Sequence, residues 1–326
     1  MHAIRRILVA IKNPQAKSLP SVDKAAQLAR AFGAQLEVFH SISMPLYIEA
    51  LGTSNSVAEL QNSWQVELKR QLEAVARRIS KLGVKTTTHV QWDYPPFEAI
   101  LRRAKRIKAD LIVVSCHEQD HRAAGLLRLT DWELLRLSTI PVLLVKNSKA
   151  YKNPVVLAAI DPLHTFAKPA RLDGEILKAA GAFKSALRGT LHAVHAYVPI
   201  VAGMAPSEYL KPQFAQSMDT QAKGLVKSSF EREARSAAIP PARRHLVSEH
   251  PIDAIPETAR KIRSAIVVMG AISRSGIKRF FIGNTAEKLL DKIDCDVLIV
   301  KPPRFQNRVR TAARGARLVA AQPMIA

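Results

Sequence analysis

One stretch carries residues of the types that hold a phosphate: Gly270, Ser273, Gly276, Gly283, Asn284 and Thr285. Ahead of it Ile266-Val267-Val268-Met269 is a continuous apolar run, which reads as a strand buried on both faces. Gly270 ends that strand, and a polar loop with Ser273, Arg274, Ser275 and Gly276 follows. Gly283-Asn284-Thr285 then turns into a helix expected over Ala286–Lys292. Strand, glycine loop and helix N-terminus in succession present backbone N–H groups to an anion. Gly270 would let backbone approach a ligand. Ser273 offers a hydroxyl, but it resists a positive φ and its side chain occupies space. Asn and Thr are also common helix caps, so Gly283-Asn284-Thr285 reads equally well as plain capping.

Other residues invite chemistry and give less. His117-Glu118-Gln119-Asp120-His121 spells the H-E-x-x-H of zinc proteases. That chemistry needs both histidines on one helical face and a third ligand. Here the string directly follows the expected strand Leu111–Ser115, so it reads as a loop, and no metal site is assigned. His40 and His195 end two equivalent strands, which suggests the same structural task in both, such as bonding a loop carbonyl. No nucleophile–base–acid constellation is legible, so no catalytic residue is assigned and turnover is not expected.

Composition sets the frame. A chain of 326 residues, 48% hydrophobic, is long enough for two domains with a core each. Its two cysteines, Cys116 and Cys295, imply reduced thiols of a cytoplasmic protein and no disulfide framework. Ile7–Ile11 is too short for a membrane span or signal core and reads as a first strand. The net charge of +22 raises nucleic acid as a partner. Arg102, Arg103, Lys105, Arg106 and Lys108 instead flank the apolar face of one helix. No nucleic-acid motif accompanies them, which argues against that partner.

Strands and helices alternate along the chain. Strands are expected over Ile7–Ile11, Gln35–His40, Lys85–Gln91, Leu111–Ser115 and Val142–Val145. They recur over Val155–Ile160, Thr190–Tyr197, Arg244–Ser248, Ile266–Met269 and Val297–Val300, with helices between. The alternation predicts parallel, doubly wound sheets. The second half repeats the first. Leu36–His40 matches Leu191–His195, Pro96–Ile100 matches Pro251–Ile255, and Leu143–Lys146 matches Leu298–Lys301, each 155 residues apart. A domain-sized repeat is a tandem of two folds, joined by the short polar linker Asn147–Asn153. The expectation is a five-stranded sheet in each half, the halves pairing as an intramolecular pseudo-dimer.

The chain resembles the tandem type of universal stress protein. Its supporting residues are Pro96-Phe97-Glu98-Ala99-Ile100, Leu129-Thr130-Asp131-Trp132 and Gly283-Asn284-Thr285-Ala286-Glu287. The frame Gly270, two residues, Ser273, nine residues, Gly283-Asn284 follows the family's nucleotide loop, with Ser273 and Asn284 departing from its Gly and its Ser or Thr. The resemblance implies two Rossmann-like α/β domains, over 1–146 and 154–302, and a cytoplasmic stress-response role through ligand or partner binding. A slow ATP-hydrolysing or phosphoryl-handling enzyme, or a carrier of an apolar ligand, are the alternatives. It implies ATP, in the second domain only, with Asp161 at the base end and Gly270, Ser273, Gly276, Gly283, Asn284 and Thr285 around the phosphates. Asp161 can equally cap its own turn with Pro162. The first domain offers Lys12, Ser115, Glu118 and Arg128 at the matching places, and the acid there would repel phosphate. Residues 303–326 lie outside the resemblance. They carry Arg304, Arg308, Arg310, Arg314 and Arg317 without acids and are expected to be a disordered basic tail.

Overall fold

The computed structural model describes residues 3–47, 54–116, 132–163, 172–198, 212–270, 284–302, 305–307 and 309–319. The chain forms two compact units. The first holds His2–Ala150 together with Gln306–Ala326, and the second holds Tyr151–Phe305.

In the first unit the apolar runs become strands β1 (Arg6–Ala10), β2 (Gln35–Ile42), β4 (Thr86–Trp92), β5 (Leu111–Ser115) and β6 (Val142–Val145), with a short β3 (Pro45–Tyr47) after β2. They lie in the order β4-β2-β1-β5-β6, every described pairing parallel. Ile7 of β1 faces Leu36 of β2 and Leu111 of β5 in register. Helices α1 (Pro20–Phe32), α2 (Ser54–Ser80) and α3 (Pro96–Arg106) cover the sheet. Because helices close both faces, the middle strands are apolar throughout: Ile7, Leu8, Val9, Leu111, Ile112 and Val113 are fully buried.

The second unit repeats that order. β7 (Val155–Ala159), β8 (Thr190–Ala196), β9 (Arg244–Val247), β10 (Ile266–Gly270) and β11 (Asp296–Val300) lie as β9-β8-β7-β10-β11, again parallel. Helices α4 (Leu172–Ala186), α5 (Pro212–Ser236), α6 (Pro251–Lys261) and α7 (Asn284–Lys292) accompany them. Equivalent strands thus occupy equivalent places, as a tandem duplication requires. The linker is anchored where it enters this unit: Tyr151 is buried and donates its hydroxyl proton to Asp296 at 2.5 Å. Among the described residues no helix is long and apolar enough to cross a membrane.

The C-terminal tail departs from expectation. Residues 305–319, where described, do not trail away. Asn307 donates to the Leu137 carbonyl at 2.9 Å, Arg314 reaches Asp93 and Glu98, and β12 (Arg317–Val319) pairs in parallel with β3. Arginines without acids suggested disorder, but the acids that hold the tail lie more than 200 residues earlier. The same pairing gives β3 its partner, in a segment where no strand was expected.

Candidate functional site

In each unit the parallel strands end along one edge of the sheet, and strand order reverses at one place along it. In the second unit that place lies between β7 and β10, since β8 and β9 follow on one side and β11 on the other. In open α/β sheets ligands bind in the crevice outside the strand ends at such a point. Val268 pairs with Ala158. Continuing that register two residues brings Gly270 opposite Ile160, so Asp161 and Gly270 stand at one crevice. Sequence reading placed both in one site; in the structure they stand at the carboxyl ends of neighbouring strands.

Asp161 is half-buried. Its backbone N–H donates to Asp173 Oδ1 at 3.0 Å, and Asp173 is 4% exposed in the first turn of α4. A carboxylate there both satisfies a loop N–H and suits the positive end of the helix. The loop after β7 is therefore held through its backbone by Asp173, a residue that sequence reading did not single out. Its signal was an acid two residues inside a helix start.

Gly270 has a packing reason as well as any ligand role. A Cβ at this position would lie 2.5 Å from Leu172 Cδ2 and 2.8 Å from Leu172 Cγ. Leu172 is fully buried, so its side chain fills the space that Gly270 vacates. Asn284 and Thr285 are the first two residues of α7, which begins two residues earlier than the expected Ala286. The helix absorbs the end of the turn. Ser273, Gly276 and Gly283 lie outside the described residues, as do Glu118, Arg128 and the histidines of the H-E-x-x-H string.

At the crevice of the first unit β1 leads to Lys12 and β5 ends at Ser115. Neither unit has a disulfide at Cys116 or Cys295. Among the described residues no group of three or more His, Cys, Asp and Glu gathers in a way that would hold a metal ion.

The paired histidines do the structural task expected of them. His40 Nδ1 lies 2.8 Å from the Ile11 carbonyl and His195 Nδ1 lies 3.0 Å from the Ile160 carbonyl. A carbonyl only accepts, so each imidazole carries its proton on Nδ1. Each bond fixes the residue just past the first strand of its half, immediately before Lys12 or Asp161. Burial pulls the His40 imidazole below its ordinary value, and the carbonyl bond partly offsets this.

A second histidine pair was not anticipated. His192 Nδ1 and His245 Nε2 are 3.0 Å apart, on neighbouring strands β8 and β9. Their ring centroids are 5.3 Å apart with planes 2° from parallel. The centroid distance exceeds the N···N distance by about two ring radii, so the rings meet edge to edge in one plane and are not stacked. One donates and the other accepts, which requires a neutral acceptor. Burial, then the charges of His245 and Arg243, lower His192 to about 4, and burial then Lys261 lower His245.

The sequence profile of the universal stress protein family matches residues 3–146 and again 172–301. The chain belongs to the universal stress protein family. Among curated relatives, universal stress protein E of Escherichia coli strain K12 is 25% identical, with 94% of this chain and 97% of that protein covered. The same protein of Salmonella typhi is 26% identical over 94% of this chain and 98% of its own. Solved structures agree on the fold. A functionally unknown protein of Pseudomonas aeruginosa superposes with a TM-score of 0.70 at 21% identity, covering 92% of this chain and 93% of that one. A universal stress protein of Archaeoglobus fulgidus gives 0.58 at 15% identity, covering 93% and 97%. Both profile matches fall on the two halves of the repeat, so this universal stress protein is a tandem.

Proposed function

We propose that this universal stress protein acts in the cytoplasmic stress response as a regulatory binding module, and that its second unit binds ATP weakly, once per chain. The supporting observation is the meeting of Asp161 and Gly270 at the strand-order reversal of the second sheet. The nucleotide base lies by Asp161, which offers a carboxylate to exocyclic amino groups. The phosphates lie over Gly270 and against the loop through Ser273 and Gly276 to Gly283, Asn284 and Thr285, where the start of α7 supplies N–H donors. The first unit offers Lys12 and Ser115 at the matching places and binds no nucleotide. Domain limits of 1–146 and 154–302 belong to the same reading.

Ser273 sets the affinity. Its hydroxyl gains about 1 kcal/mol through one hydrogen bond, while a strained loop or steric block costs about 1–3 kcal/mol. Binding is therefore weaker than with glycine. Calorimetric titration with ATP and magnesium should show weak binding in the parent protein, tighter binding in Ser273→Gly and none in Gly283→Arg, with unchanged circular dichroism. Two nucleotides per chain, or unchanged binding in Gly283→Arg, would overturn the assignment. Silence in both the parent and Ser273→Gly would leave a module that works without ATP.

A further inference from the structure

We propose that the first unit carries a docking site for an extended, arginine-bearing basic peptide, built from Asp93, Tyr94, Glu98 and the edge of β3, and that the chain's own residues 306–319 fill it in cis. Asp93 is the centre. Its side chain is 1% exposed, and its carboxylate accepts from Tyr94 N at 2.9 Å, from Arg102 Nε at 2.8 Å and Nη2 at 2.7 Å, and from Arg314 N at 2.9 Å. Arg102 also donates to Glu98 Oε2 at 2.8 Å. Two carboxylates and one guanidinium leave one negative charge in a largely buried setting. The tail supplies the missing cation: Arg314 Nη2 lies 3.0 Å from both oxygens of Glu98, and its guanidinium carbon sits 5.7 Å from the Tyr94 ring centroid. Carboxylate and aromatic face together recognise arginine by charge, hydrogen bonding and cation–π attraction.

Backbone contacts add a requirement for extended chain. Arg102 Nη1 reaches the Arg310 carbonyl at 3.5 Å, and Arg317, Leu318 and Val319 pair with Pro45, Leu46 and Tyr47. Strand addition to a free edge is a general mode of peptide recognition. The site belongs to one half alone. At the matching positions of the second half stand Ser248 for Asp93, Glu249 for Tyr94 and Glu257 for Arg102. Asp253, the counterpart of Glu98, is held by Lys292. The duplicated fold does not require such a site, so its residues serve the tail. Arg308, Arg310, Arg314 and Arg317, with no acid among 306–319, define the ligand class.

The experiment uses the full chain, its Arg314→Glu variant and the Arg314→Glu/Glu98→Arg charge swap. Limited trypsin digestion reads exposure of the tail through cleavage after Arg310 and Arg317. Cleavage that tracks opening should be about tenfold faster in Arg314→Glu and return close to the parent rate in the swap. A fluorescein-labelled peptide of residues 306–319 should bind Arg314→Glu saturably, bind the parent about tenfold more weakly because its site is filled, and lose binding when the peptide carries Glu at 314. If the swap fails to fold by circular dichroism, Glu98→Gln replaces it and should raise cleavage several-fold. Equal cleavage in all folded chains would overturn the proposal. So would failure of the peptide to bind a chain whose tail has been released.

Discussion

Gly270 shows how one residue can answer to two demands. Part of its reason for being glycine is Leu172, whose buried side chain occupies the space of a Cβ. Gly270→Ala should lower the stability of the second unit by about 1–3 kcal/mol, the usual cost of overpacking a core. Urea unfolding followed by far-UV circular dichroism checks it, and the cost of Gly270→Ala should be smaller when measured in a Leu172→Ala background than in the parent. The His192–His245 contact makes a second residue-scale prediction. Both imidazoles are held below their ordinary value, His192 to about 4. The unfolded chain therefore takes up protons that the folded one refuses. Stability is full above about pH 6.5 and falls as pH drops from there toward 4. Comparing urea midpoints at pH 7.5 and pH 5, the loss on acidification should shrink in His192→Asn.

Elements show where sequence suffices and where it does not. The strands Leu111–Ser115 and Val142–Val145 were legible to the residue, because continuous burial writes continuous apolarity. The equivalence of His40 and His195 was legible too, since duplication repeats the carbonyl bond with the strand. β3 and β12 were not. Each is three residues long, and each owes its existence to the other across the length of the chain. The candidate site was half legible. Asp161 and Gly270 follow from strand ends and Asp173 has the signal of an acid at a helix start, whereas Leu172 matters through packing that no local pattern encodes. The turn between β4 and α3 belongs at this scale as well. Asp93→Ala would leave the 6%-exposed Arg102 without its main partner. Breaking a buried pair by removing one member costs about 3–5 kcal/mol. Thermal unfolding should place that loss in the first unit, while Arg314→Ala, acting on a half-exposed pair, should cost much less.

At the scale of the whole molecule the second unit is an insertion. The chain leaves the first unit at Ala150 and returns to it at Gln306. Truncation after Phe305 removes Arg314 from Asp93 and Glu98 and removes the partner of β3. It should destabilise the first unit by about 2–3 kcal/mol, the scale of a hydrogen bond to a charged group, and spare the second. Hydrogen exchange resolves the two: amides of residues 42–47 and 93–98 should lose protection, and those of β7 and β10 should keep it.

That return has a consequence in time. During synthesis the first unit's sheet emerges early, yet Arg314, which joins Arg102 at Asp93 and Glu98, is made more than 200 residues later. At about 5–20 residues per second, roughly 8–30 s pass between Ala150 and Arg314. For that interval the nascent chain presents an acidic notch and a bare strand edge to its surroundings. A ribosome stalled short of Arg314 holds a chain whose first-made half is still open.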